Sequence, residues 1–425
     1  MGCAKNTVDS EYLTGQLKLL GHEIFDEPSS CDVGIINTCG FIQDAVKENI
    51  NAILDLEQLK ADGIIKKFIV AGCLVNRYEK ELKQEFPTAD LFARSEEWDK
   101  IIKFLDNKII LNCERSFNAL DKNFWTRYLK ISEGCNTLCS YCAIPLIRGK
   151  LRSTPIKKLI SEAQMLCSAG ARELCLVGQD LTVYGQDFND GTNLKKLISA
   201  LSSEIPENVK LRLLYLHPER VNEELINFLL ENKKVLHYLD IPVQHCDPEI
   251  LARMNRPLKN NNDLIKIFKY IRECDELFAL RTTLMTGFPG EDENKFNALI
   301  DFISEIEFDR LGAFVYSPEE GTRAASFKDQ INNDVAEFRC NKLMGVQAEI
   351  SSGRNELFIN RELKILVEDI DKEAGEIWGR SYRDAPEVDG MICANNPENK
   401  KINLGDIASV KILDSSENDL FGEII

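Results

Sequence analysis

Three closely spaced cysteines are the residues of this sequence best suited to do chemistry. Cys135, Cys139 and Cys142 form a C-x3-C-x2-C motif. Three thiolates on one short loop can bind three irons of a 4Fe-4S cluster and leave the fourth iron without a protein ligand. An open coordination position separates a catalytic metal site from a closed structural one, by the logic established for zinc. The motif therefore predicts a reactive iron–sulfur cluster.

Two other interpretations of this motif are open. One is a C-x2-C redox pair. The other is a structural zinc site, which needs a fourth ligand. The histidines of the chain all lie far from the motif in sequence: His22, His217, His237 and His245. The three-cysteine spacing directly after an apolar run favours the cluster over both alternatives.

Cys3, Cys39 and Cys73 form a second candidate set. Cys39 and Cys73 each follow an apolar run typical of a strand, and Cys3 precedes a helical pattern that starts near Val8. Ligands of open α/β sheets collect beyond the carboxyl ends of the strands, so these thiols are expected to converge on a second cluster. Three independent buried thiols explain the pattern equally well. The other eight cysteines are predicted to be small core residues: Cys31, Cys113, Cys167, Cys175, Cys246, Cys274, Cys340 and Cys393.

The elements that must position the first motif repeat along the middle of the chain. Short apolar runs alternate with amphipathic helical patterns, and the helix after the motif has Thr154 as its predicted cap and Pro155 as its first residue. Such an α/β pattern predicts a partial (βα)6 barrel, with its chemistry at the carboxyl ends of the strands. The predicted strands are Tyr128–Ser132, Glu173–Gly178, Leu211–Leu216, His237–Ile241, Ala279–Thr286 and Leu311–Tyr316.

The regions before and after the middle of the chain have different patterns of apolar residues. Strands at Asp32–Asn37 and Lys67–Ala71 among helical patterns predict a small open α/β domain at the N-terminus. Five alternating, β-branched segments after about residue 361 predict a small C-terminal β-barrel, joined to the middle by a helix over Asp334–Leu357. The predicted domains are therefore residues 1–115, 121–357 and 358–425.

Charge and hydropathy limit the class of protein. The chain of 425 residues has a formal net charge of −17, and residues 361–425 contribute −7 of it. A polyanion-binding protein usually has a basic face, so nucleic acid is disfavoured as a partner. The longest apolar run, Phe68–Val75, is far shorter than the roughly 20 residues that span a bilayer. With no leader pattern at the start, we expect a cytoplasmic protein without a membrane segment.

These motifs together resemble a known family along essentially the whole chain. Cys-Ser-Tyr-Cys at 139–142 resembles the signature of the radical S-adenosylmethionine (SAM) enzymes. The surroundings of the second set resemble the methylthiotransferase branch of that family: Gly-Cys-Ala-Lys-Asn-Thr-Val-Asp-Ser-Glu (2–11), Asn-Thr-Cys-Gly-Phe (37–41) and Ala-Gly-Cys (71–73). Within the branch, two further stretches are most similar to the ribosomal-protein methylthiotransferases: Gly-Lys-Leu-Arg-Ser (149–153) and Asp-Ala-Pro-Glu-Val-Asp-Gly (384–390).

The resemblance implies two 4Fe-4S clusters and SAM as cofactors. In such enzymes the cluster on Cys135, Cys139 and Cys142 binds SAM at its open iron, and one electron cleaves SAM to methionine and a 5′-deoxyadenosyl radical. The radical abstracts hydrogen from the β-carbon of an aspartate in a decoding-centre ribosomal protein. The cluster on Cys3, Cys39 and Cys73 carries the sulfur, and the substrate radical takes up the methylthio group.

The resemblance also suggests further site residues and partners. Tyr141 is expected near the adenine of SAM, and Gln179, Gln244 and His245 are expected near SAM because they follow predicted strands. For His245, a hydrogen-bonded structural histidine is the simpler interpretation. We expect a monomer whose acidic C-terminal barrel, which resembles a TRAM domain, docks a basic ribosomal protein. A flavodoxin- or ferredoxin-type electron donor is expected, and the sulfur donor is left open.

Two alternatives and one departure accompany this hypothesis. A sister enzyme that methylthiolates a transfer RNA adenosine would use the same clusters, but its TRAM domain would be expected to carry a basic stripe. A non-catalytic iron–sulfur scaffold is the more remote alternative.

Arg148 and Lys150 are predicted to be solvated, or else to contact an acidic substrate group. The family's apolar strand before Gly2 is missing from the sequence, and we expect about ten added upstream residues to raise iron content by protecting Cys3 from fraying.

Overall fold

The structure is a computed structural model, which describes residues 2–28, 31–106, 115, 124–256, 261–398 and 400–425. The chain divides into two compact units. Unit 1 contains Met1–Asp121, Glu133–Arg152 and Ser317–Ala325, and unit 2 contains Lys122–Ser132, Ser153–Tyr316 and Ser326–Ile425. Both cysteine sets therefore belong to unit 1. The predicted domain limits stay predictions, and the one at residue 121 lies outside the described residues.

Unit 1 is built on a parallel sheet with strand order β1-β2-β3. Alternate residues of β2 face opposite sides: Phe68 and Val70 pack in one core cluster, while Ile69 and Ala71 pack in another. A sheet buried on both faces needs such continuous apolar strands. The elements are α1 (Ala4–Leu19), β1 (Val33–Thr38), α2 (Gln43–Ala61), β2 (Lys67–Gly72), α3 (Cys73–Glu85), β3 (Leu91–Ala93), α4 (Trp98–Asp106) and α5 (Ile144–Ile147).

Unit 2 contains a six-stranded sheet of order β11-β10-β9-β8-β7-β4 whose paired strands are all parallel. Its strands are β4 (Thr126–Lys130), β7 (Glu173–Val177), β8 (Lys210–Leu213), β9 (Val235–Asp240), β10 (Ala279–Thr286) and β11 (Arg310–Val315). Its helices are α6 (Ile156–Ser168), α7 (Leu194–Glu204), α8 (Glu223–Glu231), α9 (Pro248–Arg253), α10 (Asn261–Cys274), α11 (Glu293–Ile306) and α12 (Asn333–Glu356). Two-residue strands β5 (Ser132–Glu133) and β6 (Arg152–Ser153) flank the cysteine loop in sequence.

The C-terminal part of unit 2 is a closed barrel of order β12-β13-β14-β16-β15. Leu363, Ile365 and Val367 alternate inward along β12 and are buried in the barrel core. This period of two is what a half-buried strand requires. The strands are β12 (Glu362–Asp371), β13 (Glu376–Arg380), β14 (Ile392–Asn395), β15 (Ile407–Ser415) and β16 (Leu420–Ile424).

Most predicted elements are confirmed, and so is the α/β class with its small C-terminal barrel. The exceptions are local. Helix α6 begins at Ile156 with Pro155 as its N-cap, and no side chain caps it, so the predicted capping by Thr154 is wrong. Instead the Thr154 carbonyl accepts a hydrogen bond from the Tyr184 hydroxyl at 2.6 Å. Of the eight cysteines predicted to be core residues, Cys175 and Cys393 are buried, the exposed Cys274 is not a core residue, and Cys113 lies outside the described residues. The other four are only half-buried: Cys31, Cys167, Cys246 and Cys340.

No helix within the described ranges is both long and apolar enough to cross a membrane.

Candidate functional site

The three thiols of the N-terminal set lie at one edge of the unit 1 sheet. Cys39 directly follows β1, Cys73 begins α3 directly after β2, and Cys3 is the N-cap residue of α1. Burial raises the pKa of the Cys39 thiol, and the charge of Cys3 raises it further. Burial also raises the pKa of Cys73 to about 12, with added contributions from Cys39 and Cys3. Each thiol thus lies within electrostatic range of the other two, as the convergence argument predicted.

Asn6 connects two of these cysteines. Its Oδ1 lies 3.9 Å from Cys3 Sγ and 3.7 Å from Cys73 Sγ, and its Nδ2 donates a hydrogen bond of 3.0 Å to the Thr38 carbonyl. The side chain is buried, one helical turn after Cys3 on α1. Asn6 therefore holds the start of α1 against the ends of both strands.

Gly72 makes the close approach of the two strand ends possible. Its φ is +99°, and a Cβ at this position would lie 2.4 Å from Asn37 Oδ1 and 2.6 Å from the Thr38 carbonyl oxygen. Only glycine adopts this conformation without strain and leaves this space. The Ala-Gly-Cys sequence thus places Cys73 beside the end of β1, where Cys39 follows.

The C-x3-C-x2-C loop is closed by its own backbone. The Cys135 amide donates to the Gly149 carbonyl at 3.1 Å, and the Cys142 amide donates to the Cys139 carbonyl at 3.1 Å. Two further amides point at sulfur: Thr137 N lies 3.4 Å from Cys135 Sγ, and Ile144 N lies 3.4 Å from Cys142 Sγ. Such N–H···S contacts stabilise thiolates and are among the factors that set cluster potentials.

Arg148, at the end of the same loop, contacts the other cysteine set. Its Nε donates to Cys73 Sγ at 3.1 Å, and its Nη1 lies 2.9 Å from both Asp9 Oδ2 and Glu133 Oε2. Its Nη2 also donates to Asn6 Oδ1. The guanidinium is buried, so the prediction of a solvated Arg148 is wrong. Because two carboxylates compensate its charge, burial is tolerated here. Lys150, by contrast, is exposed as predicted.

Sequence reasoning missed Asn6 and Arg148 as site residues. Both lie inside motifs that the resemblance already used or adjoined. Arg148 gives no signal of burial, because Lys150 and Arg152 follow it, as in a solvated basic stretch. Asn6 gives no signal either, because an asparagine in the first turns of a helix is ordinary.

The cysteine sets have the donor chemistry of iron–sulfur ligands. All six thiols are free. Among the described residues, no three His, Cys, Asp or Glu side chains approach one another closely enough to hold a single metal ion. A cubane cluster makes a different demand, since each thiolate binds its own iron. The buried guanidinium beside Cys73 and the amides aimed at Cys135 and Cys142 also suit negatively charged sulfur, so the residues fit clusters.

The other predicted site residues fall in both units. Tyr141 is half-buried in the cysteine loop of unit 1. In unit 2, Gln179 follows β7, and Gln244 has a φ of +73° with its backbone bridged to β10. His245 is fully buried, its Nδ1 accepting from the Asp247 amide at 2.9 Å and its Nε2 lying 3.4 Å from Glu291 Oε2. These contacts are those of a structural histidine, and the roles of all four residues toward SAM stay predictions.

Comparison with protein families divides the chain into three matched regions. Residues 1–93 match the uncharacterized protein family UPF0004, residues 129–303 match the Radical SAM superfamily, and residues 359–425 match the TRAM domain. A solved structure of the radical SAM methyltransferase TsrM from Kitasatospora setae has a similar fold, with a TM-score of 0.53 and 13% identity over 74% of this chain and 72% of that chain. The fold and the cysteine loop thus define a radical SAM enzyme.

Curated relatives of the same length narrow the class. The ribosomal protein uS12 methylthiotransferase RimO of Dictyoglomus thermophilum is 41% identical over 100% of this chain and 98% of its own. The RimO of Geobacter sulfurreducens is 40% identical, covering 100% and 97%. The chain therefore belongs to the RimO family of radical SAM methylthiotransferases, as its motifs predicted.

Proposed function

We propose that this protein adds a methylthio group to the β-carbon of an aspartate in ribosomal protein uS12. The observation that carries the proposal is that both three-cysteine sets lie in one compact unit, where Arg148 of one loop contacts Cys73 of the other set. A methylthiotransferase needs its two cluster sites near each other, because the sulfur must reach the carbon that has been activated. RimO relatives that match over the full length support the uS12 substrate.

The six cysteines are the residues that would hold the cofactors. Cys135, Cys139 and Cys142 would ligate the SAM-binding 4Fe-4S cluster, and Cys3, Cys39 and Cys73 would ligate the second 4Fe-4S cluster. When bound, these groups supply one-electron cleavage of SAM and a reactive sulfur.

The chain itself contributes a preformed frame for both sets. The amides of Thr137 and Ile144 hold two sulfurs of the loop in place. Arg148 compensates negative charge at Cys73 and is itself oriented by Asp9 and Glu133. Because these donors are fixed by backbone and buried carboxylates, they need no rearrangement when the thiols ionise.

The acidic C-terminal barrel supports a protein substrate over a nucleic acid. Residues 361–425 have a net charge of −7, which would attract a basic ribosomal protein and repel transfer RNA. A ribosomal substrate also favours a cytoplasmic location. A flavodoxin- or ferredoxin-type electron donor and a monomeric state remain predictions of this proposal, and the sulfur donor is left open.

A competition under anaerobic conditions tests the proposal. Reconstituted protein, reductant and SAM are incubated with both a uS12 loop peptide and unmodified transfer RNA, and both products are analysed by mass spectrometry. We expect a methylthio mass gain on the peptide aspartate, and no gain with Cys135→Ala protein. A methylthio mass gain on adenosine instead would show that transfer RNA is the substrate, and the radical methylthiolation chemistry would stand. SAM cleavage without either gain would refute both substrates.

A further inference from the structure

A segment that begins at the last residue of β13 and leads toward β14 contacts every strand of the parallel sheet in unit 2. We call Arg380–Asp389 the interior segment. Its polar contacts are Arg380 to Thr126 of β4 at 2.8 Å, Arg380 to Glu173 of β7 at 3.5 Å, the Tyr382 carbonyl to Arg212 of β8 at 2.8 Å, Asp389 to Tyr238 of β9 at 2.8 Å, Asp389 to Arg281 of β10 at 3.3 Å, and Asp384 to Arg310 of β11 at 2.6 Å. The interior segment therefore crosses the whole width of the sheet.

Strand register places the contacted residues on one face. Thr126 pairs with Glu173, Tyr128 pairs with Cys175, and Cys175 pairs with Arg212. Residues two apart on a strand share a face, and register partners on neighbouring strands do too. In a βα barrel the helices cover the outside, so this polar row faces the interior. The interior segment therefore fills part of the barrel interior.

The interior segment runs toward the reactive end of the strands. Arg380 and Asp384 contact Thr126, Glu173 and Arg310, which are the first residues of their strands. Glu387, near the tip, hydrogen-bonds to Tyr128, two residues further along β4. Chemistry in this fold takes place at the carboxyl ends of the strands. The tip thus reaches further along β4, toward its carboxyl end, than the Arg380 contact with Thr126 does.

Glu387 differs from the other two carboxylates of the interior segment. Asp384 is buried against Arg310, and Asp389 is held by Tyr238 and Arg281. Glu387 is exposed, beside Val388 at 61% exposure. Its φ is +69°, a conformation that glycine would adopt without strain. A non-glycine residue kept in a strained conformation indicates a need for its side chain.

We propose that Glu387 determines substrate specificity by binding a basic side chain of the uS12 loop. This inference rests on the proposed function. The Glu387 carboxylate offers a charge-assisted hydrogen bond to a Lys or Arg of the substrate, and the Tyr128 hydroxyl orients it. The same negative charge repels the phosphates of a transfer RNA. The buried anchors at Asp384 and Asp389 fix the position of the tip.

Peptide binding tests the inference separately from catalysis. The probe is the uS12 loop peptide, together with versions in which each Lys or Arg in turn is replaced by Gln, and its Kd is measured by fluorescence anisotropy. We expect Glu387→Gln to weaken binding of the native peptide about tenfold. One Gln peptide should bind wild-type protein about tenfold more weakly and show no further loss with Glu387→Gln. Glu231→Gln, an exposed carboxylate at the end of α8, is the matched control and should leave Kd unchanged.

Two more variants keep the test decisive. Glu387→Asp retains the charge and should restore much of the affinity. Glu387→Gly relieves the left-handed backbone, so we expect wild-type Tm with weakened binding. An unchanged Kd in Glu387→Gln, or equal losses in Glu387→Gln and Glu231→Gln, would overturn the inference even if wild-type protein methylthiolates the peptide. If the Kd values change as expected but wild-type protein forms no methylthio product, the proposed function is refuted and the inference about Glu387 stands.

Discussion

Arg148 Nε donates a hydrogen bond of 3.1 Å to Cys73 Sγ, so a residue of the C-x3-C-x2-C loop directly contacts a thiol of the other set. The same guanidinium is held at 2.9 Å by both Asp9 and Glu133. A buried cation beside a buried thiol stabilises the thiolate, and it would equally stabilise added negative charge on a cluster. The two cysteine sets are thereby coupled electrostatically as well as by their shared unit.

Replacing Arg148 should lower the reduction potential of the cluster on Cys3, Cys39 and Cys73. Arg148→Gln removes a positive charge and an N–H···S contact. The charge and the contact each stabilise the reduced cluster, so their loss should lower the reduction potential. Arg148→Lys keeps the charge and should produce a smaller shift. Redox titration followed by electron paramagnetic resonance measures the potential, and iron content shows whether the cluster assembles.

Arg115→Gln is the control for this substitution. Arg115 is also buried in unit 1, where its Nε donates to Glu11 at 2.9 Å rather than to a sulfur. The Arg115→Gln substitution should therefore leave the reduction potential unchanged, although it removes a comparable buried ion pair. Equal shifts in Arg148→Gln and Arg115→Gln would show that general destabilisation, and not contact with Cys73, sets the potential.

Substitutions in the two cysteine sets should separate SAM cleavage from methylthio transfer. Cys135→Ala should abolish SAM cleavage, whereas Cys39→Ala should keep cleavage to 5′-deoxyadenosine and lose the methylthio product. Each substitution should reduce iron from about eight to about four per chain. Cys274→Ala, at an exposed cysteine outside both sets, should keep about eight. Loss of SAM cleavage in Cys39→Ala would mean that the sets are not independent.

Periodicity and spacing predicted the strands and the convergence of the thiols, because both follow from local patterns. They could not predict Arg148, whose burial depends on Asp9, far away in sequence. The interior segment was likewise visible only as the motif at 384–390, since its contacts reach strands more than 200 residues earlier, as in Arg380 to Thr126. Long-range pairing of polar and charged side chains leaves no period in a sequence, and this is why Asn6 and Arg148 were missed.

Glu173 should make the stability of unit 2 depend on acid pH. Burial alone would raise its pKa, but the charges of Arg212 and Arg380 outweigh burial and lower the pKa to about 2. Since the folded pKa lies below the ordinary value, the stabilisation is complete above about pH 4.5 and is lost as pH falls toward 2. The linked free energy is about 3 kcal/mol.

Glu173→Gln reports this contribution. At pH 7 it should destabilise the protein by about 3–5 kcal/mol, because it removes a partner from two buried arginines. The difference in Tm from wild type should shrink below about pH 4.5, where Glu173 takes up a proton in the unfolded state while it stays charged in the folded state. Glu207→Gln, at an exposed carboxylate, should change Tm little at any pH. A Tm difference that stays constant down to pH 3 would contradict the linkage.

The acidic barrel should act on substrate capture rather than on chemistry. Glu362, Glu373 and Glu423 are exposed carboxylates on its surface. Replacing all three with Gln should raise KM for intact uS12 at low salt and leave kcat unchanged, because rim charges steer association. The effect should fade above about 0.3 M salt, where screening shortens the range of surface charges to a few ångströms. Glu387→Gln should remain defective at that salt concentration, since it acts through a direct contact beside Tyr128. If the triple variant and Glu387→Gln lose their defects together as salt rises, the barrel surface and the interior segment share one long-range role.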